Sequence, residues 1–507
     1  MVCTTTLAEA FPGRFDDVKK SGEGTYGVVY ICRESRGAEK KAAKVYRDAV
    51  EDNGISVDVI RELAVMAHLR HQNIQPIDEF VLRDDTCIML MPAMTCNVYQ
   101  FIKNNDFAQE MGASQKLSIC KSICSGIAYM HGMNFIHRDI KTANVLLDEH
   151  TLSVKVSDFG SARLFLPDQP LTMDITTLFY RAPEMLFGSR DYGLSVDVWS
   201  LACTCTEIFK GRELFRPDDD FSEENQISAI FNLIGFSDMA WAMAPGYTRF
   251  NPEKMISNVL ENSLVAHMKS RCKGCPIEFI DTMNVALQAN PLRRLTAQQM
   301  CDAIVVPAEE TEEDDARLHT QQKKAPPVTV RVPNSEGRTR IVDWIVDIHH
   351  ALKFNNSTLH LAVDIFDQYC ALKHEDMQLA GIVSLFLASK LNETMELEIS
   401  GMMTWCRNKY EAADFKEMEK RILTSLKGDI IIRNDAAIEL TRISDSFLQH
   451  IMLYLYESSM LTKPQAALKI NRAKSIRKVG CIDKIREAYF KTSVHRSIRK
   501  KFGEVLE

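Results

Sequence analysis

Two aspartates frame the chemistry this chain could perform. Asp139 lies in "HRDIKTAN", with Lys141 two residues on and Asn144 at the end, and Asp158 opens "DFG". Carboxylate and amide oxygens are hard ligands that suit Mg2+. A carboxylate beside a hydroxyl can orient it and accept its proton. Upstream, "GEGTYGVV" places Gly22, Gly24 and Gly27 in a G-x-G-x-x-G-x-V pattern, and Lys44 follows in "KAAK". Glycines let backbone N–H groups approach phosphates closely, and a lysine can hold phosphate oxygens. A glycine cradle, a cation, two oxygen ligands and a base are the parts of a phosphoryl-transfer site. Dinucleotide folds share the glycine pattern, but there a helix follows the loop. Here the strand-like "VVYICRE" follows.

Taken in order, and closed by "APE" at Glu184, these motifs match the protein-kinase signature. The chain therefore resembles protein kinases, which implies ATP and Mg2+ as cofactors. By that resemblance Asp139 is the catalytic base, and Lys44 holds phosphates while paired with Glu62. Asn144 and Asp158 hold the metal. Lys141, two after the aspartate, is the serine/threonine-kinase choice. No catalytic position is degraded. The ATP site would comprise Ser21, Gly22, Glu23, Gly24, Thr25, Tyr26, Gly27, Val28 and Val29 from the loop, with Ala42 and Lys44 beyond it. Leu146 would be its floor, Met91 the gatekeeper and Met94 the hinge donor. Pro92 would use only its carbonyl, so its missing N–H costs nothing. Ser21 stands where the family usually has isoleucine.

More narrowly, "GEGTYGVVY", "HRDIK", "DFGSAR", "TLFYRAPE" and "VDVWSLACTCTEIF" resemble the cyclin-dependent kinases of the CMGC group over about residues 14–305. "SVDVIRE", Ser56 to Glu62, occupies the place of the family's PSTAIRE helix and keeps only its IRE end. The resemblance implies that Arg61, Arg138 and Arg163 converge on a phosphothreonine at Thr172. A phosphate of nearly two negative charges would satisfy such a cluster. The alternative is three surface arginines with carboxylate partners. Arg181 of "YRAPE" is implied to tie up a loop carbonyl, so that Ser/Thr-Pro substrates, whose proline has no N–H to leave unpaired, are favoured. Thr176 replaces the family's valine nearby. Glu184 and Arg294 are expected to form a structural ion pair. Thr25 and Tyr26, at the loop tip, are either inhibitory phosphorylation sites or plain loop residues.

Short β-like runs (VVYICRE, KKAAKVY, TCIMLMPA) come first in the chain, and helical patterns follow. Residues 307–333 are acidic, then polar, then proline-rich, and read as a linker. Behind it, "RIVDWIVDIHHALKFNNSTLHLAVDIFDQYC" resembles the first two helices of a cyclin box, "MQLAGIVSLFLASKLNET" the third and "FKEMEKRILTSLKGDI" the fifth. Ala380, Gly381, Ser384 and Ala388 would let neighbouring helices approach a central one closely. Trp344 reads as a core residue. An ordinary helical bundle is the alternative. By position, Lys390 and Glu419 are implied to grip the kinase's PSTAIRE-helix region, and the MRAIL docking patch reads "GRTRI", Gly337 to Ile341.

The expected fold is therefore an α+β bilobal protein kinase followed by an all-α cyclin-like domain. The divisions are a tail (1–13), a kinase domain (14–306, with lobes 14–91 and 95–306), the linker, a cyclin box (334–430) and a second cyclin-like half (431–507). A linker of roughly 26 residues reaches at most about 90 Å extended and spans about 25–30 Å as a coil. That sets an effective concentration near about 1 mM, favouring an intramolecular cyclin. The alternative is a module that captures a separate kinase or cyclin partner. Nearly half the residues are apolar, 46%, enough for full cores. The net charge of −7 gives no pull toward nucleic acid or membrane. There is no apolar run of membrane-spanning length and no signal-peptide pattern. Fourteen scattered cysteines suit a reducing compartment, so an intracellular protein of nucleus or cytoplasm is expected. Cys272 and Cys275 form one CxxC without a second ligand pair for zinc. The basic stretch 469–501 is either an import or phospho-partner signal or a solvated helix face.

Overall fold

The computed structural model describes residues 7–431, apart from 24–26, 38, 48, 105–110, 166–176, 218–219, 236–260, 308–335, 374–375 and 394–396. The chain divides into two compact units. One comprises residues 1–46, 61–81 and 88–323, the other 47–60, 82–87 and 324–507.

The first unit opens on a five-stranded sheet. Strands β1 (Phe15–Glu23), β2 (Val28–Glu34) and β3 (Lys40–Tyr46) are followed, after the short pair β4 (Val50–Glu51) and β5 (Gly54–Ile55), by β6 (Glu79–Arg83) and β7 (Thr86–Pro92). The sheet order is β1-β2-β3-β7-β6. Side chains alternate between the faces of a strand, and β2 obeys that rule. Val28, Tyr30 and Cys32 are buried, while Val29 and Ile31 are half-exposed on the other face. Residues 7–10, read above as part of a tail, form a helical turn. Leu7 and Phe11, four apart and so on one face, pack with Val28, Tyr30, Cys32, Ala43, Val45, Ile88 and Leu90 in one apolar cluster. Two large side chains at helical spacing were enough to turn an apparent tail into core.

Helix α1 (Val57–His68) carries Glu62. Beyond the sheet the unit is mainly helical, around α2 (Ala113–Gly132) and α3 (Ser195–Lys210), with two small antiparallel sheets, one of Cys96–Asn97, Val145–Leu147 and Val154–Val156, the other of Phe135–Ile136 and Arg163–Leu164. All residues of α3 from Val196 to Phe209 are buried, as expected of a central helix surrounded by others. It ends at Gly211, with φ +79°.

The second unit holds α4 (Glu336–Leu352), α5 (Asn356–Leu372), α6 (Met377–Asn392), α7 (Ile399–Trp405) and α8 (Ala412–Ser425). Helix α6 is buried from Leu379 to Leu391 and starts at Asp376, whose carboxylate accepts from the N–H groups of Gln378 and Leu379, a side-chain N-cap. A Cβ at Gly381 would lie 2.5 Å from Ile341 Cγ2, so α4 and α6 meet at a distance only glycine permits. Trp344, expected in the core, is half-buried instead. At the "GRTRI" stretch the Arg338 guanidinium donates to both carboxylate oxygens of Asp367, at 2.7 and 2.6 Å. Residues 432–507 lie outside the described residues. Among the described residues no helix is long and apolar enough to cross a membrane.

Candidate active site

Strand β3 pairs with β2 in antiparallel register, Lys44 opposite Val29. Lys44 Nζ donates to both oxygens of Glu62, at 2.7 and 2.8 Å, and lies 3.6 Å from Asp158 Oδ1. Burial opposes the lysine's charge, but Glu62 and Asp158 outweigh it and hold the ammonium above its ordinary range. Burial pushes the Glu62 carboxyl up, and Lys44 pulls it back only in part. The Tyr46 hydroxyl donates to the same carboxylate. Tyr46 sits two residues beyond Lys44, so both point to one face of β3.

Asp139 is held on all sides. Its Oδ1 accepts from the Thr177 N–H and hydroxyl, at 3.1 and 2.9 Å. Its Oδ2 accepts from Lys141 Nζ at 2.7 Å and Asn144 Nδ2 at 2.9 Å. Burial alone would favour the neutral acid; Lys141 and Thr177 overcome it and keep the pKa below the usual carboxylate value. Lys141 also donates to Thr177 Oγ1 at 2.8 Å. The backbone around Asp139 is fixed from below by Asp197 on α3. This fully buried carboxylate accepts from the N–H groups of His137 and Arg138, both at 2.8 Å, and from His131 at 2.9 Å. Burial disfavours its charge, yet His131 and His137 hold its pKa down. Arg138 and Asp158 both adopt positive φ, +68° and +61°, conformations that non-glycine residues keep only where the surroundings impose them.

The donor set fits a divalent ion with phosphates. Asp158 keeps 39% of its side chain exposed. Asn144 spends its amide N–H groups on Asp139, with a second bond to the Asp139 carbonyl at 2.8 Å. Its side-chain oxygen is thus turned away as a hard ligand. Gly22 and Gly27 flank the loop tip, Val28 is buried, Val29 and Leu146 are half-exposed, and Ala42 and Met91 are buried. Ser21 and Glu23 are exposed, and Met94 is half-buried. One hinge expectation needs amending. The Pro92 carbonyl already accepts from Gln75 Nε2 at 2.8 Å, so an adenine amine would have to use its second lone pair. Gly24, Thr25, Tyr26, Thr172 and Thr176 lie outside the described residues.

Of the three arginines, Arg138 is wholly buried and Arg163 nearly so. Arg138 donates to the Ser161 carbonyl at 2.7 Å, and both arginines lie close enough to Tyr192 to oppose, in part, the upward push that burial gives its phenol. Arg61 is half-exposed on α1. Arg181 pairs with Glu223, a carboxylate the sequence did not single out. The loop carbonyl assigned to it lies in the undescribed segment. Glu184 and Arg294 form a bidentate pair, both bonds 2.7 Å, with Arg294 fully buried.

In the second unit, Lys390 closes α6 and Glu419 stands on α8. Lys390 Nζ donates to Glu419 Oε1 at 2.8 Å and to the carbonyls of Asn53 and Ile55 at 3.0 and 2.7 Å. Glu419 Oε2 accepts from the Ile55 N–H at 2.8 Å. Burial pushes Glu419 up, against the pull of Lys390. The segment so held immediately precedes α1.

A sheet-rich lobe, a helical lobe, a lysine–glutamate pair and a caged aspartate define a protein kinase. A family model described as protein kinase domain matches residues 15–305, and the chain belongs to that family. A second model, cyclin N-terminal domain, matches residues 309–431, so the kinase is followed by a cyclin domain in one chain. The cyclin match begins inside the stretch 307–333, most of which lies outside the described residues.

Sequence reading passed over Tyr46, Asn53, Thr177, Asp197 and Glu223. Tyr46 carried a usable signal, its same-face spacing from Lys44. So did Asn53-Gly54, a strong turn dipeptide. Thr177, Asp197 and Glu223 act through tertiary placement, which no local pattern announces.

Proposed function

We propose that this chain is an ATP- and Mg2+-dependent serine/threonine kinase of the cyclin-dependent type. It is proline-directed, and its own cyclin domain activates it in cis. In this reading Asp139 orients the substrate hydroxyl and takes its proton. Lys141 offsets developing charge, and Lys44, kept in place by Glu62, holds the phosphates. Asn144 and Asp158 hold Mg2+, which when bound neutralises phosphate charge. The loop residues 21–29, with Ala42, Met91, Met94 and Leu146, line the nucleotide site. Thr172, Arg61, Arg138 and Arg163 form a phosphate-gated switch, with Thr25 and Tyr26 as candidate inhibitory sites. Arg181, positioned by Glu223, sets the preference for proline after the target residue. A nuclear or cytoplasmic protein with Ser/Thr-Pro protein substrates follows from this reading.

The observation that carries cis activation is the grip of Lys390 and Glu419 on Asn53 and Ile55, just before the helix that bears Glu62. That surface is filled by this chain's own residues, which favours activation in cis over capture of a separate kinase. The test is phosphorylation of a Ser-Pro peptide by the purified single chain. Specific activity should stay constant from nanomolar to micromolar enzyme, because a contact within one chain needs no encounter. It should fall at least about tenfold in Lys390→Ala/Glu419→Ala, and on replacing the peptide's proline by alanine. Activity that climbs with enzyme concentration would show assembly between chains instead. A fully active double variant would remove the cyclin from the mechanism, and equal rates on the two peptides would remove the role given to Arg181.

A further inference from the structure

The turn "DNG", Asp52 to Gly54, joins β4 to β5, with Glu51 opposite Gly54 and Val50 opposite Ile55. Gly54 takes φ +84°, a conformation that L side chains rarely adopt. A Cβ there would fall onto Glu419 Oε2 and lie 3.1 Å from Lys390 Nζ. Both groups are fully committed to each other and to the backbone of residues 53 and 55, so neither has room to give. The turn of β6 into β7 is read in the same unit: Lys420 Nζ donates to the Asp84 carbonyl at 2.6 Å, and the Ala49 N–H donates to the Asp85 carbonyl at 2.7 Å.

The bonds that Lys390, Glu419 and Lys420 make to these turns end on backbone N–H and C=O groups. Any sequence presents such groups, so they hold the segment without identifying it. Asn53 differs. Its side chain donates to the Leu397 carbonyl at 2.6 Å and accepts from the Ile399 N–H at 2.8 Å. These are a donor and an acceptor on one planar amide, aimed at two backbone groups at the start of α7. Asp would offer two acceptors, and Ser or Ala could not span both. Leaving Ile399's N–H without a partner at a part-buried helix start carries a desolvation cost.

We infer that Asn53 is the specificity-determining residue of this contact. The surface of Lys390, Leu397, Ile399 and Glu419 accepts an asparagine–glycine hairpin and discriminates against chains that lack one. The partner it fits is therefore this chain's own turn, and a kinase presenting another residue at either position is refused. Such a filter works through unpaired polar groups rather than through extra affinity. The inference deepens the cis-activation reading and rests on it only for its activity readout.

The test uses the full chain and compares wild type with Asn53→Ala, Asn53→Asp and Gly54→Ala. The first readout is hydrogen exchange at the Ile399 amide, which does not depend on catalysis. In Asn53→Ala it should speed up at least tenfold, while exchange within α6 stays as in wild type. Asn53→Asp should also lose protection at pH 7.5, because a carboxylate meets the Leu397 carbonyl. It should regain protection, after correction for intrinsic rates, as acid restores an O–H donor. A merely bulky role would show no such recovery. Gly54→Ala should release the Ile55 amide. Activity should fall at least tenfold in all three at neutral pH. Unchanged Ile399 protection in Asn53→Ala, or Asn53→Asp behaving like wild type at pH 7.5, overturns the inference. Lost protection with full activity supports Asn53's role in recognition and overturns cis activation alone.

Discussion

Two buried lysine–glutamate pairs, one in each unit, use the same atoms for opposite ends. In the first unit Lys44 keeps 17% of its side chain accessible, and Asp158 stands 3.6 Å away with more than a third of its own exposed. In the second, Lys390 and Glu419 are 2% and 0% accessible, and their remaining bonding capacity is taken up by Asn53 and Ile55. An open pair beside an exposed carboxylate can take a phosphate and give it up again. A closed pair saturated by backbone groups serves only to hold. Desolvating two charges costs several kcal/mol per ion and is offset only when every partner is in place, which is the condition the second pair meets. The first pair leaves part of its field unanswered, where a charged ligand can use it.

The sharpest way to break this comparison is to remove the lysine from the open pair. Lys44→Met and Asp158→Asn should each cut kcat/KM on a Ser-Pro peptide by about 10²–10³-fold, the scale of losing a preorganised electrostatic contact. In Asp158→Asn the melting temperature should barely move, and in Lys44→Met it should fall by less than in Lys390→Ala, because the Tyr46 hydroxyl still donates to Glu62 and the site is not fully closed to water. Retained activity would sink the catalytic reading, and a collapse of the fold would show that the open pair is as structural as the closed one.

The closed pair should behave the other way. Lys390→Ala strands an uncompensated carboxylate in a dry site, which costs about 3–5 kcal/mol. Lys390→Ala/Glu419→Ala removes both charges and should cost clearly less than the two single changes added together. A double-mutant cycle on the urea transition of the second unit measures that coupling. Additive losses would mean the two side chains do not depend on each other.

How much of this was legible in advance depended on whether a residue's role is local. Asp139, Lys141, Asn144 and Asp158 announce themselves, because their chemistry demands fixed types at short spacing. The α+β lobe followed from the period-2 alternation in β2, and the helical second domain from the period-3.6 pattern in α4. Gly381 was readable as a close-approach position, because small residues among large ones have few other uses. Trp344 was not, because amphipathic spacing gives a face but not the depth of its burial. Leu7 and Phe11 were lost in a segment too short to show a period. Asn53 and Thr177 could not be assigned, since their partners lie 344 and 38 residues away, and hydrogen bonds across such gaps leave no trace in composition. Arg181 shows the intermediate case: its type and motif marked it, but its partner Glu223 lies 42 residues on, at the start of the helix Glu223–Ile234.

A third buried carboxylate supplies the control that neither pair can. Glu207 on α3 is fully buried, accepts from the Tyr180 hydroxyl at 2.6 Å, and makes no ion pair among the described residues, Lys103 acting on it only weakly and from a distance. Its other oxygen has no hydrogen-bond partner among the described residues. Burial, with Tyr180 only partly opposing it, pushes this carboxyl from 4.5 up to about 7. The folded protein therefore keeps the proton where the unfolded chain has already released it. The resulting stabilisation is complete below about pH 4.5, declines as pH rises, and is gone once pH passes about 7. At about 1.36 kcal/mol per unit, the swing amounts to roughly 3 kcal/mol. Glu207→Gln keeps an acceptor for Tyr180 and carries no charge, so it should match wild type near pH 5 and exceed it by up to that amount near pH 8. Other groups titrate in this window, so the quantity to follow is the difference between variant and wild-type unfolding free energies across pH. A difference that stays flat would show Glu207 already ionised in the fold, and a buried carboxylate here would then need no lysine to carry its charge.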